Sequence, residues 1–310
     1  MKSNKIIIPP YLKSRDAVSI VSPSGTICTD YLDGMEKRLQ SWGLVPIRGD
    51  FAGGALGRYA GTVEERLSDL QKALDNPEIK AVFCSRGGYG CVHLPEYLDW
   101  SKFRRNPKWI VGYSDITVLH SLAQYHGVAS IHAPMAKHFT ETPEDDVSVR
   151  YLCDMLFGNS VQYQLPSHPL NKNGKASGIL RGGNLSVLCG LRGTRFDVIS
   201  QNTILFLEDV GEKPYHVERM MYNLKLGGLF EKLSGLIIGQ FTDCEEDPEM
   251  PLPLYETIAD LVSNYDFPVC YHFPVGHVTF NLPMPCGAKC NLDVSEEGVE
   301  LSHGLHGFFN

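Results

Sequence analysis

Three segments far apart in the chain, Gly112-Tyr113-Ser114-Asp115, Leu207-Glu208-Asp209 and Gly276-His277, offer a hydroxyl, a carboxylate and an imidazole. A base beside a serine, with the base oriented by a third group, is the set that makes a weak hydroxyl attack an acyl carbon, so together they suggest serine hydrolase chemistry. Ser114 follows the apolar run Trp109-Ile110-Val111 and precedes the apolar-periodic stretch Ile116-Thr117-Val118-Leu119-His120. That order predicts a strand-to-helix turn, where a hydroxyl can be exposed. Serine also caps helices without any chemistry. The stretch Gly112-Tyr113-Ser114-Asp115-Ile116 ends in isoleucine where the G-x-S-x-G elbow has glycine, which disfavours a standard α/β-hydrolase.

Glu208 closes the apolar run Ile204–Leu207, at the expected end of a buried strand, where a carboxylate requires a partner. The candidates are a salt bridge to Arg219 or Lys213, or an orienting role. His277 lies in a segment from Pro274 to Gly287 too interrupted by proline and glycine for regular structure, and a loop histidine beside a glycine is well placed to act as a base. Ser85-Arg86-Gly87-Gly88-Tyr89-Gly90 lacks the spacing of a phosphate loop. Its glycines let main-chain amides approach a ligand, which suits an oxyanion hole and a plain tight turn equally. Asp243, Glu245, Glu246, Asp247 and Glu249 surround Cys244, but no His-x-x-x-His or Cys-x-x-Cys pair accompanies them, so a solvated acidic loop is expected and no metal or cofactor.

These groups must be positioned by an ordinary globular chain. At 310 residues two domains are expected, each half able to fold, and 43% hydrophobic with 21% charged residues fits a packed core. A net charge of -8 argues against nucleic acid or an anionic membrane as partner and leaves small molecules. The N-terminal run Ile6-Ile7-Ile8 is too short for a signal peptide, and no apolar run approaches the roughly 18 residues that span a bilayer, so a cytoplasmic protein is expected. Nine cysteines without a framework read as reduced thiols.

Strand candidates at 17–23, 45–47, 81–84, 109–111 and 129–132 alternate with helical periodicity, notably Leu32, Met35, Leu39 and Trp42. Thr62 and Glu65 form a capping box opening a helix with Leu67, Leu70 and Leu74 inward. Such alternation implies a parallel sheet, with ligands at the carboxyl ends of strands, where Ser24, Gly87 and Ser114 all fall. The pattern fades over 158–175, read as a linker between domains 1–157 and 176–310. The second half mixes strands at 204–207, 236–239 and 269–273 with helices near 215–226 and 254–265, then a hairpin, Cys290–Val294 against Val299–Leu301.

Ser22-Pro23-Ser24-Gly25, the 85–90 turn, Val111–Asp115, Leu207-Glu208-Asp209-Val210 with Glu212, Pro214 and Tyr215, and Gly276-His277 leading into Asn281-Leu282-Pro283 occur in an order that resembles the LD-carboxypeptidase family of serine peptidases, which also holds the microcin C self-immunity peptidases. The resemblance implies an α/β protein, with a flavodoxin-like N-terminal parallel-sheet domain and a mixed, partly barrel-like C-terminal domain, the site lying between them. It implies Ser114 as nucleophile, His277 as base and Glu208 as orienter. The amides of Gly88 and Asp115 become candidates for the oxyanion hole, and Arg86 with Gly87 for holding a terminal carboxylate. The implied substrate is a cytoplasmic murein tetrapeptide losing its D-alanine in cell-wall recycling, and the implied assembly a homodimer. Two alternatives stand beside it: hydrolysis of a microcin-type aminoacyl-nucleotide conjugate, for which Trp42, Trp100 and Trp109 read as core rather than stacking residues, and a non-catalytic peptide binder on the same fold.

Overall fold

Short apolar runs alternating with amphipathic helices build two sheets in two units. In the computed structural model, which describes residues 6–306, the first unit runs to Ser160 and includes Leu282–Cys286. The second comprises Val161–Asn281 and the residues from Gly287 onward. The start of the segment inspected for a leader, residues 1–5, lies outside the described residues.

In the first unit, β1 (Ala17–Val21), β2 (Val45–Arg48), β3 (Ile79–Cys84), β4 (Trp109–Gly112) and β5 (Ser130–His132) are parallel, in the order β2-β1-β3-β4-β5. This is the flavodoxin-like order, and its reversal point lies between β1 and β3. The helix Thr29–Ser41 buries Leu32, Met35 and Leu39, and Thr62 with Glu65 forms the expected capping box at the start of Val63–Asp75. The inner face of that second helix differs from expectation: Arg66 and Asp69 are buried with Leu70 and Leu74, while Leu67 is only half-buried. Met284–Cys286, expected as loop, adds an antiparallel edge strand to β5. Pro285 has no N–H for a ladder, and an edge is where a strand tolerates it.

The second unit contains β6 (Gln162–Leu165), β7 (Gly174–Asn184), β8 (Thr203–Val210), β9 (Leu233–Thr242) and β10 (Val269–Cys270). Counting Met284–Cys286 as β11, β12 (Lys289–Val294) and β13 (Val299–His303) complete it, in the order β10-β9-β8-β7-β12-β13-β6. This sheet has two edges, β10 and β6, and is open, so the barrel-like expectation is corrected. The stretch 158–175 expected as a linker holds β6 and the first residues of β7, and Lys172 exchanges main-chain hydrogen bonds with Val269. From Val161 onward its turn-forming residues mark an irregular path inside the second unit. On β8, Leu205 and Leu207 pack with Leu236 and Ile238 of β9 against Leu188, Met221 and Ile258 of the helices, so alternation turns Glu208 to the opposite face. None of the described helices is long and apolar enough to cross a membrane.

Candidate active site

Within the second unit, Glu208 lies two residues before the end of the interior strand β8 with 0% of its side chain exposed, and its Oε2 lies 2.8 Å from His277 Nδ1. A carboxylate oxygen only accepts, so Nδ1 carries a proton, and in the neutral form of such a ring Nε2 is the basic nitrogen. Neither Arg219 nor Lys213 pairs with Glu208. The second oxygen, Oε1, is buried and accepts no hydrogen bond among the described residues, so the carboxylate is committed to the imidazole. Backbone freedom at Gly276 makes the approach possible: its φ is +129°, and a Cβ there would lie 2.9 Å from both Cβ and Oε2 of Glu208. The Gly276 N–H donates to Asn281 Oδ1 at 3.0 Å, closing the loop behind His277.

Asp209, the next residue, faces the helix layer. It accepts from Asn184 Nδ2 and the Ser186 amide, each at 2.8 Å, and from the Val210 amide at 2.9 Å, at the start of helix Leu185–Leu191. Burial nevertheless outweighs these donors, and with the nearby Glu208 charge it pushes the Asp209 carboxyl up to about 6. A carboxyl raised above its unfolded value binds more protons in the native state, so its contribution to stability is present at low pH and lost as pH rises from about 4 to 6. Urea titrations of wild type and Asp209→Asn across that window are expected to show wild type losing on the order of 2–3 kcal/mol relative to the variant. A constant difference across the window contradicts this placement of the charge.

Within the first unit, Ser114 begins a short 3-10 turn, Ser114–Ile116, between β4 and the helix Thr117–Tyr125. Its φ is +66°, a left-handed conformation that is uncommon for a non-glycine residue and characteristic of a nucleophile presented on a sharp strand-to-helix turn. Preceding it, Gly112 has φ +154°, and a Cβ there would press on Ile116 and Cys84. His120, fully buried, donates Nε2–H to the Gly112 carbonyl and accepts from Ser130 Oγ, both at 2.8 Å, which fixes the end of β4. Burial lowers the His120 pKa to about 4, so the ring works there as a neutral pin.

The 85–90 turn lies against this serine. A Cβ on Gly87 would be 2.7 Å from Ser114 Cβ, so glycine is what allows the two backbones to meet. Gly87 O accepts from the Gly25 amide, and Gly88, with φ +107°, is exposed beside Gly25. The Asp115 side chain is a brace, taking Ser24 Oγ–H at 2.5 Å and the Cys91 amide at 2.8 Å. Sequence reading missed Arg66, whose buried guanidinium holds the carbonyls of Pro23 and Gly90 at 2.7 and 2.9 Å. Arg86 is exposed and donates to the Thr26 carbonyl at 2.6 Å. In the acidic stretch of the second unit, Glu246 accepts the Leu254 amide and Asp247 the Glu249 amide, local turn and capping roles. The structure thus joins Glu208 to His277 in one unit, and Gly87 to Ser114 in the other.

Comparison with known proteins gives a consistent picture. Residues 18–133 match the LD-carboxypeptidase N-terminal domain and residues 177–292 the LD-carboxypeptidase C-terminal domain. The chain is 32% identical over 304 residues to the probable murein peptide carboxypeptidase of Bacillus subtilis (strain 168), covering 96% of this chain and 95% of that one. It is 33% identical to the murein tetrapeptide carboxypeptidase of Pseudomonas aeruginosa, covering 89% and 92%. The crystal structure of muramoyltetrapeptide carboxypeptidase from Oxalobacter formigenes superposes with a TM-score of 0.83 at 28% identity, covering 93% of this chain and 98% of the other.

Proposed function

From the premise that this chain belongs to the LD-carboxypeptidase family, we propose that it is a serine carboxypeptidase that releases the terminal D-alanine of cytoplasmic murein tetrapeptides. The observation that carries the reading is the buried Glu208 carboxylate held 2.8 Å from His277 Nδ1, an arrangement suited to orienting a general base. In this reading Ser114 Oγ attacks the carbonyl carbon of the L-configured centre as His277 Nε2 takes its proton. Glu208 favours the imidazolium that forms. The tetrahedral oxyanion is stabilised by the amides of Asp115, in the first turn of a helical segment where N–H groups lack intrahelical partners, and of Gly88. Collapse expels the D-alanine amine, which takes the proton back from His277, and water then hydrolyses the acyl-serine.

Arg86 is assigned to the terminal carboxylate. One guanidinium nitrogen is tied to Thr26 O and the group is exposed, so the fork is oriented yet accessible. The test is incubation of the protein with LD-linked tetrapeptides of defined third residue, with free D-alanine followed by mass spectrometry. Release is expected, and Arg86→Ala is expected to raise KM about tenfold, the loss of a charge-assisted contact. No D-alanine from any stem, with turnover of a microcin-type aminoacyl-nucleotide conjugate instead, overturns the substrate assignment. No turnover of either, with no phosphonate adduct at Ser114, overturns catalysis itself and favours a peptide binder.

A further inference from the structure

The parallel pairing of β8 with β9 loses step beside Glu208. Leu207 stands opposite Ile238 but Asp209 opposite Phe241, so Gly239 and Gln240 together face the single residue Glu208. An extra residue of this kind interrupts the ladder and re-aims a side chain, and it is rare between parallel strands. One hydroxyl fills the interruption. Tyr255, near the start of helix Leu254–Val262, donates its O–H to the Gly239 carbonyl and accepts the Phe241 amide, each at 3.1 Å. Its ring is held separately, stacked on His272 with centroids 4.0 Å apart.

Gln240, placed between those two main-chain groups, is turned toward the loop that leads to His277. Its amide donates to the Val275 carbonyl at 3.0 Å, and its side-chain Nε2 donates to the carbonyls of His272 and Phe273 at 2.9 and 3.2 Å. Gly239 has no space for a side chain, since a Cβ there would be 2.6 Å from Val275 Cγ1. Gly276 and His277 follow directly. If the bulge closed, the pairing beyond it would slip by one residue and send Gln240 to the other face of the sheet.

Resting on the reading of His277 as general base, we propose that Tyr255 is a positioning residue for the reaction: its hydroxyl holds the bulge open so that Gln240 clamps the loop that sets the imidazole against Glu208. Tyr255→Phe removes that oxygen and keeps the stacked ring. The variant is expected to remain folded by circular dichroism and to lose between about ten- and a hundredfold in kcat on the tetrapeptide, with KM within about twofold, as displacement of a catalytic group does. Gln240→Ala is expected to show the same split, and the double variant to be no worse than the more affected single one, because both act through one element. In wild type the Nδ1–H proton of His277 is expected as a downfield resonance, assigned by its loss in His277→Ala, and it is expected to broaden or vanish in Tyr255→Phe. Folded Tyr255→Phe with wild-type kcat and an unchanged resonance, while His277→Ala is inactive, overturns the role of Tyr255 alone. Turnover surviving in His277→Ala overturns the general-base reading and this inference with it.

Discussion

Ser114→Ala is expected to lower release of D-alanine by about four to six orders of magnitude while leaving the protein folded. The loss is large because the hydroxyl supplies the atom that forms the new bond, and no other group in the proposed mechanism can take that place. The structural cost is small. At φ +66° alanine and serine meet the same backbone strain, so stability should change by no more than about 1 kcal/mol. Thermal unfolding beside the tetrapeptide assay measures both, and a phosphonate that labels wild type should leave the variant unlabelled. Turnover within tenfold of wild type would remove Ser114 from the reaction.

Glu208→Gln separates activity from stability in the opposite manner to most core changes. Activity is expected to fall about 10³- to 10⁴-fold, because the amide of glutamine can donate to Nδ1, which stabilises the tautomer whose Nε2 already bears hydrogen and cannot accept the serine proton. Stability is expected to hold or to rise. Glu208 is wholly buried, one of its oxygens accepts nothing among the described residues, and its partner His277 is 20% exposed, so water reaches the group left behind. Urea unfolding and kcat measured on the same preparation check the pair. A variant that unfolds at lower urea yet keeps the wild-type kcat would make Glu208 a structural residue only.

Much of this was legible in the order of residues. The parallel sheet of the first unit follows from apolar runs of strand length separated by helical periods, and the turn at Ser114 from the change of period between Trp109–Gly112 and Thr117–Tyr125. Glu208 was recognisable because a carboxylate at the end of a buried strand needs a partner, and His277 supplies it. What escaped depended on partners distant in the chain. With Leu67, Leu70 and Leu74 expected inward, nothing local marks Arg66 and Asp69 as buried, yet they face inward, Arg66 onto Pro23 and Gly90 and Asp69 onto the amides of Asp50 and Phe51. Met284-Pro285-Cys286 carries a proline, which argues against a central strand and conceals an edge one. The one-residue slip at Gly239-Gln240 leaves no local trace, because a bulge is defined only against the strand beside it.

The edge strand Met284–Cys286 has a bearing on how the polypeptide can be made. Its partner, Ser130–His132, leaves the ribosome about 150 residues earlier, so the first unit waits for most of synthesis before that margin is covered. Until then β5 offers unsatisfied main-chain groups, an invitation to pair with another nascent copy. A fragment cut after residue 160 keeps that margin bare for good, and a fragment starting at 161 carries the missing piece away.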